Sequence, residues 1–293
     1  MKYIGFNNGV IDARQAVVSA LDHGFLYGIG LFETFRTYGA VPFLLERHLK
    51  RMAEGCKELG IPFAQDVEQL QEWIQRVMDK NELKEAYIRY TVTAGEDILG
   101  LPVGDYCEPN HLLYIKALPK VSEKIYSEGK DLQLLSLRRN TPEGAVRFKS
   151  LHYMNNILAK RELRGYASAA NGAEGLMLTA QEVIAEGIVS NIFFIKNNIL
   201  HTPDISTGIL PGITREMVME LARSAGIRVE EGAYHWEQLK IADEVFLTNS
   251  VQEIVPVTTL WEKDKRFTVG DGLCGRMTSD LISFYRERTG ISK

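Results

Sequence analysis

Cysteine is scarce in this chain of 293 residues. Cys56, Cys107 and Cys274 are odd in number and far apart, so neither a disulfide framework nor a zinc site built from paired cysteines is indicated. Apolar runs are short as well, and none approaches the roughly 18 residues that a membrane-spanning helix needs. The N-terminus turns polar at Asn7, before the apolar core of a signal peptide could form. These absences favour a cytoplasmic protein without a membrane span.

An excess of charge of one sign is also missing. The net charge is -4 and 25% of the residues are charged, which does not indicate a basic nucleic-acid-binding face. No metal-binding spacing, Walker loop or GxSxG elbow occurs, so we predict no metal site. Gly28-Ile29-Gly30 is similar to the start of a dinucleotide-binding loop, but Glu33 replaces the third glycine, which disfavours a Rossmann fold.

The hydrophobic pattern predicts a mixed, α+β fold. Apolar residues at spacings of three and four predict two helices within 42–80, and β-forming stretches predict strands at 85–92 and 112–115. The polar segment from Pro119 to Gly129 is the best linker, so we predict an N-terminal α+β domain of residues 1–120 and a C-terminal domain of residues 121–293. Further predictions are strands at 132–137, 244–248 and 254–260, a hairpin at 192–200, and helices at 154–164, 213–225 and 273–287.

Lys149 is a candidate for chemistry. A lysine is usually a solvated surface charge, but Arg138, Arg139 and Arg147 are close to it in sequence. If these cations fold near the amine, they lower its pKa and free its lone pair for Schiff-base formation. The alternative is a basic strand edge that faces water.

Glu186 lies within an apolar stretch, between Val183-Ile184-Ala185 and Ile188-Val189. A buried acid is costly unless a cation accompanies it, and a protonated pyridine nitrogen would be such a cation. The alternative is a surface turn residue that precedes a strand.

The segment from Gly208 to Arg215 is a Gly/Pro loop that opens onto a predicted helix. Backbone amides and the helix dipole would meet at Ile213 and Thr214 and suit a phosphate, although many helices begin this way without a ligand. Thr248-Asn249-Ser250 offers hydroxyl groups for the same phosphate, or forms a simple polar turn. An amine, a carboxylate and a phosphate cradle together indicate pyridoxal 5'-phosphate as the cofactor.

The chain resembles the fold-type IV, or class IV, pyridoxal-phosphate enzymes over nearly its whole length. These include branched-chain aminotransferases, D-amino acid aminotransferases and 4-amino-4-deoxychorismate lyases. The resemblance is carried by Asp22–Arg36, Arg51, the Lys149 segment, Glu186–Phe194, Gly208–Arg215 and Thr248–Ser250. It implies a smaller N-terminal α/β domain, a larger β-rich C-terminal domain with helices, a homodimer and a small-molecule substrate.

The resemblance also implies roles for single residues. Lys149 would form the Schiff base and act as the general base, Glu186 would hold the ring nitrogen, and Arg51 would bind the phosphate. Further cofactor contacts are implied for Tyr153, Ser190, Asn191, Ile213, Thr214, Asn249 and Ser250. Tyr153 stands one residue nearer to the lysine than its counterpart in branched-chain enzymes does. Phe32, Thr34 and Arg89 are expected to contact the substrate; a strand hydroxyl and a surface arginine are the alternatives for Thr34 and Arg89.

Within the family, the loop from Thr93 to Asn110 lacks the Arg-x-His substrate clamp of D-amino acid aminotransferases. His23–Arg36, Arg138–Gly144 and Thr248–Ile254 resemble the lyase of folate synthesis from bacilli. The resemblance therefore implies a carbon-oxygen lyase that converts 4-amino-4-deoxychorismate to 4-aminobenzoate and pyruvate. Alternatives are an aminotransferase for branched-chain or D-amino acids and a non-catalytic cofactor-binding protein.

Overall fold

The computed structural model describes residues 1–290, and the chain divides there into two units. The first contains residues 1–120, 148–152 and 289–290, and the second contains residues 121–147 and 153–288. The segment Phe148–His152 thus belongs to the first unit, although the chain on both sides of it belongs to the second. Both units combine helices with a sheet, which confirms the α+β class. The proposed domains, 1–120 and 121–293, stay a prediction about parts that fold independently.

The first unit contains one antiparallel sheet. Its elements are β1 (Tyr3–Phe6), β2 (Gly9–Asp12), α1 (His23–Leu26), β3 (Gly30–Tyr38), β4 (Val41–Pro42), α2 (Leu45–Glu58), α3 (Val67–Lys80), β5 (Tyr87–Thr93) and β6 (Asn110–Lys116). The six strands lie in the order β2-β1-β6-β5-β3-β4. The two helices predicted within 42–80 are confirmed as α2 and α3. Strands β1 and β2 were not predicted, because four residues are too few to show a clear alternation.

The two faces of this sheet carry different side chains, since successive residues of a strand point to opposite faces. Phe35 and Ile88 belong to the apolar core that also contains the buried sides of α2 and α3, including Trp73. On the other face, the strand register pairs Phe32 with Thr91, and Thr34 with Arg89. The sheet therefore buries one face under helices and presents aromatic, hydroxyl and cationic groups on the other.

The second unit is built around a larger, mixed sheet. Its elements are α4 (Ile125–Glu128), β7 (Lys130–Leu134), α5 (Met154–Leu163), β8 (Glu174–Leu178), β9 (Ile184–Gly187), β10 (Asn191–Lys196), β11 (Ile199–Pro203), α6 (Ile213–Ser224), β12 (Arg228–Gly232), α7 (Trp236–Lys240), β13 (Glu244–Asn249), β14 (Glu253–Glu262), β15 (Lys265–Thr268) and α8 (Arg276–Arg288), with 3-10 turns at Ala167–Asn171 and Ile205–Thr207. The order is β12-β11-β10-β13-β14-β7-β8-β9, and β15 pairs with β14.

Two features of this unit bear on the sequence predictions. The hairpin of β10 and β11 is confirmed, and Asn197 and Asn198 at its turn have φ values of 53° and 60°, which asparagine tolerates better than most residues. The linker predicted from Pro119 to Gly129 is not extended throughout, because it contains α4. Within residues 1–290, no helix has both the length and the apolar character that crossing a bilayer requires.

Candidate active site

Lys149 lies on a short extended segment that is attached to the edge of β3 in the first unit. The Phe32 amide donates to the Lys149 carbonyl at 2.9 Å, and the Leu151 amide donates to the Gly30 carbonyl at 3.0 Å. The half-buried Lys149 side chain places its Nζ atom 4.7 Å from the centroid of the Phe32 ring. Backbone bonds on both sides of the lysine therefore fix the amine against an aromatic surface.

A cavity of about 540 Å³ opens on the same unit. It is lined by Val18, Ser19, Ala20, Gly24, Phe25, Arg89, Thr91, Thr93, Leu112, Tyr114 and Leu151. The guanidinium carbon of Arg89 lies 3.6 Å from the centroid of the Phe32 ring, so two of the three predicted substrate residues contact each other. A single cation among hydroxyl groups suits a ligand that carries a carboxylate.

Arg51 does not project into solvent, as a charge on an amphipathic helix normally would. Its Nε and Nη2 atoms donate to the two carboxylate oxygens of Glu33 at 2.8 and 2.6 Å. The Nδ1 atom of His48 lies 2.6 Å from Oε2 of the same carboxylate. Glu33 and His48 are each 2% exposed. This fork fixes the guanidinium plane of the predicted phosphate-binding arginine.

The Glu33 cluster makes the stability of the protein depend on pH. Burial raises the pKa of Glu33, but the adjacent Arg51 and His48 outweigh burial and hold that pKa at about 2. The pKa of Glu33 in the folded state is thus below its unfolded value. The contribution of Glu33 to the free energy of unfolding is therefore complete above about pH 4.5 and is lost as the pH falls toward 2.

We expect replacement of Glu33 by glutamine to destabilise the protein at pH 7 by about 3 kcal/mol, because it leaves the half-buried Arg51 without this anion and breaks the contact with buried His48. Urea unfolding at several pH values measures this. The variant should also lose most of the pH dependence of wild type between pH 4.5 and 2. Glu46→Gln, at an exposed position of α2, is the control and should behave as wild type. Equal free energies of unfolding for Glu33→Gln and wild type at pH 7 would show that the Glu33 ion pair does not stabilise the protein.

Glu186 ends up buried in the second unit, as its apolar neighbours predict, but it has a protein cation beside it. Arg139 Nε donates to its Oε1 at 2.8 Å, and the Leu210 amide donates to its Oε2 at 3.0 Å. Arg138 pairs instead with Glu182, and Arg147 donates to the Gly208 carbonyl. Each of these three arginines thus has an acceptor of its own, and the hypothesis that they activate the Lys149 amine stays a prediction.

The start of α6 has the features predicted for a phosphate cradle. Gly212 precedes the helix, no side chain caps its first turn, and Thr214 Oγ1 lies 3.2 Å from Ser250 Oγ. A Cβ atom on Gly212 would lie only 2.0 Å from Oδ1 of Asn191, so only glycine allows this close approach. Within the described residues, the buried Thr248 hydroxyl has no hydrogen-bond partner. Unsatisfied donors at the start of a twelve-residue helix fit a phosphate ester.

The remaining predicted cofactor residues all lie in the second unit. Tyr153 directly precedes α5, and buried Ser190 immediately precedes β10. Asn191 donates to the Leu210 carbonyl at 2.9 Å. The Asn249 side chain accepts from the amides of residues 251 and 252, which holds the turn that carries Ser250. Direct contact of these residues with a cofactor stays a prediction.

Sequence reasoning did not assign Glu33 or His48 to the site, and it did not predict that Arg139 pairs with Glu186. Glu33 gave a usable signal, since an acid at the buried positions of a strand, between Leu31 and Phe35, requires a cation. Arg139 gave none, because its partner is 47 residues away in the chain.

The chain matches known proteins over most of its length. Residues 30–260 match the model of the family described as amino-transferase class IV. The chain is 40% identical over 258 residues to the aminodeoxychorismate lyase of Bacillus subtilis, covering 87% of this chain and 86% of the relative. The structure of the Escherichia coli branched-chain amino acid aminotransferase superposes with a TM-score of 0.85 at 29% identity, covering 100% of this chain and 96% of the other.

A 4-amino-4-deoxychorismate lyase structure, from Pseudomonas aeruginosa, superposes almost as well. Its TM-score is 0.82 at 29% identity, with 97% of this chain and 98% of the other covered. Because the structural scores of the aminotransferase and the lyase are so close, the fold alone does not distinguish the two activities. The family match and the 40% identity confirm the resemblance on which the sequence predictions were built. This chain belongs to the amino-transferase class IV family.

Proposed function

We propose that this protein is a pyridoxal-phosphate-dependent lyase that converts 4-amino-4-deoxychorismate to 4-aminobenzoate and pyruvate. The observation that carries the proposal is the 40% identity to the Bacillus subtilis lyase over 87% of the chain, against 34% to a putative branched-chain-amino-acid aminotransferase of Methanocaldococcus jannaschii and 31% to the Escherichia coli branched-chain enzyme. The loop from Thr93 to Asn110 supports it, because the carboxylate clamp of D-amino acid aminotransferases is missing there. The homodimer that the family resemblance implies stays a prediction.

The cofactor prediction is confirmed: as a member of this family, the protein uses pyridoxal 5'-phosphate. When bound, this cofactor supplies an aldehyde for the substrate amine and a ring that accepts electrons. Lys149 would hold the aldehyde, Glu186 the ring nitrogen, and Arg51 with the start of α6 the phosphate. The buried carboxylate described above suits the ring nitrogen, and the locked guanidinium and the uncapped helix start suit the phosphate.

Lys149 has the central part in moving protons. Its amine takes the proton from the amine-bearing carbon of the substrate, and the resulting ammonium can return a proton to the departing enolpyruvate. Phe32 limits where this amine can lie, since its ring is 4.7 Å from Nζ. Arg89, in the cavity, can pair with a substrate carboxylate and keep the leaving group oriented. Loss of the proton and of the enolpyruvyl ether oxygen makes the six-membered ring of the substrate aromatic, so the elimination is strongly favourable.

An aminotransferase for branched-chain or D-amino acids is the second candidate. The TM-score of 0.85 to the Escherichia coli branched-chain enzyme keeps it as the alternative, because the same scaffold serves both reactions. The two differ in what happens after the proton is removed. A lyase expels the neighbouring oxygen, whereas an aminotransferase returns the proton to the cofactor and releases a keto acid.

A coupled assay separates these candidates. Aminodeoxychorismate is generated in place, and 4-aminobenzoate and pyruvate are followed with the purified holoenzyme. We expect equal amounts of both products. When leucine or D-alanine is supplied instead, alone or with 2-oxoglutarate, we expect less than one molecule of the corresponding keto acid to form per active site. Repeated turnover of either amino acid with 2-oxoglutarate, without formation of 4-aminobenzoate from aminodeoxychorismate, would overturn the lyase assignment and support the aminotransferase.

A further inference from the structure

The two carboxylate oxygens of Glu186 have different surroundings. Oε2 accepts from the Leu210 amide at 3.0 Å and from Asn191 Nδ2 at 3.4 Å. Oε1 accepts from Arg139 Nε at 2.8 Å. Because a carboxylate oxygen accepts about two hydrogen bonds, Oε2 is filled by the protein. Among the described residues, Oε1 has a single hydrogen-bond donor, so it can take one more.

Arg139 is itself held firmly. Its amide donates to the Leu178 carbonyl at 2.8 Å. Its Nη1 atom lies 3.1, 2.9 and 3.3 Å from the side-chain oxygens of Asn140, Asn155 and Asn156. A planar guanidinium that is bound on two of its nitrogens cannot rotate, and it therefore fixes the carboxylate in front of it. The side chain is 8% exposed, so water does not compete strongly for these bonds.

A second buried cation adds to the charge around Glu186. Arg147 Nε lies 3.9 Å from Oε1 and donates to the Gly208 carbonyl at 2.6 Å. Burial and the neighbouring Arg139 lower the pKa of Arg147 to about 10, so it remains charged at neutral pH. Two buried cations thus share one carboxylate. A protonated ring nitrogen that donates to Oε1 would therefore bind a carboxylate whose negative charge the two arginines already partly balance.

We propose that Arg139 is a positioning residue that aims Oε1 of Glu186 at the ring nitrogen of the cofactor and limits how strongly this oxygen attracts the ring proton. The inference rests on the proposed role of Glu186. In this proposal Arg139 acts only through the carboxylate of Glu186. The proton consequently stays on the ring nitrogen, where it is needed for the ring to accept electrons.

The test compares the holoenzyme of wild type with Arg139→Gln, Arg139→Lys, Glu186→Gln and the double variant Arg139→Gln/Glu186→Gln. The readouts are the pH midpoint of the visible absorbance band of the bound cofactor, the Kd for pyridoxal 5'-phosphate and the melting temperature. Arg138→Gln is the matched control, because Arg138 is adjacent in sequence but pairs with the exposed Glu182.

We expect Arg139→Gln to raise the pH midpoint by about one pH unit, because without Arg139 the Oε1 atom attracts the ring proton more strongly and the ring then withdraws less charge from the titrating nitrogen that joins Lys149 to the cofactor. The Kd should rise roughly tenfold. Arg139→Lys, which keeps the charge without the planar fork, should shift the midpoint less, and it decides the test if the glutamine variant does not fold. The double variant should shift no further than Glu186→Gln alone, because Arg139 acts through Glu186.

Two results would overturn the inference in distinguishable ways. If Glu186→Gln moves the midpoint while Arg139→Gln and Arg139→Lys match the Arg138→Gln control, Arg139 has no positioning role and the proposed role of Glu186 stands. If Glu186→Gln leaves the midpoint unchanged, the carboxylate does not serve the ring nitrogen, and the proposed role of Glu186 fails together with the inference.

Discussion

Replacement of Lys149 by alanine is expected to lower the rate of 4-aminobenzoate formation on the order of 10⁴-fold. The variant loses both the amine that binds the cofactor aldehyde and the base that removes the substrate proton, and groups that act as a unit have effects of this size. The rate in the coupled assay and the visible absorbance of the bound cofactor measure the two losses separately.

The controls for this prediction guard against an effect on folding. Lys149→Arg keeps a cation beside Phe32 but cannot act as a base, and it should be as inactive as the alanine variant. Lys160→Ala removes an exposed lysine of α5 and should retain wild-type activity. Product formation by Lys149→Ala at a rate within tenfold of wild type would show that another group removes the proton.

Replacement of Glu186 by glutamine is expected to lower kcat on the order of 10²- to 10³-fold, the range seen when a single electrostatic stabilising group is removed. A neutral amide cannot balance a protonated ring, so the carbanion formed from the substrate is less stable. The change also leaves Arg139 and Arg147 without their shared anion, and we expect a lower melting temperature.

Steady-state kinetics and thermal unfolding of the same preparation check this expectation. Glu182→Gln is the matched control, because Glu182 has a similar ion pair with Arg138 but is exposed. It should leave both kcat and the melting temperature close to wild type. A Glu186→Gln variant with wild-type kcat would mean that the ring does not depend on this carboxylate.

Sequence patterns predicted the helices and strands in which apolar residues recur with a clear period. Helices α2, α3 and α6 and the hairpin of β10 and β11 agree with the predictions, because one side of each helix is apolar and the hairpin turn is Asn-Asn. Strands β8 and β9 were missed. All their residues are buried, so no alternation marks them, and a short apolar run of this kind can also belong to a buried helix.

The candidate site was predictable only in part. Lys149, Glu186 and the start of α6 could be proposed from the sequence, because each stands among neighbours that are unusual for it. The pairings of Arg139 with Glu186 and of Arg51 with Glu33 could not be predicted, since they join residues that are 47 and 18 positions apart. Contacts of that separation depend on how strands pair and helices pack, which the pattern of a single sequence does not specify.

The most direct test of the account is to reduce the coloured holoenzyme with borohydride, digest it and locate the cofactor by mass spectrometry. The account predicts that the label is on the peptide that contains Lys149, and that Lys149→Ala treated in the same way carries none. A label on a different lysine, or a wild-type protein that binds the cofactor but remains unlabelled, would contradict it.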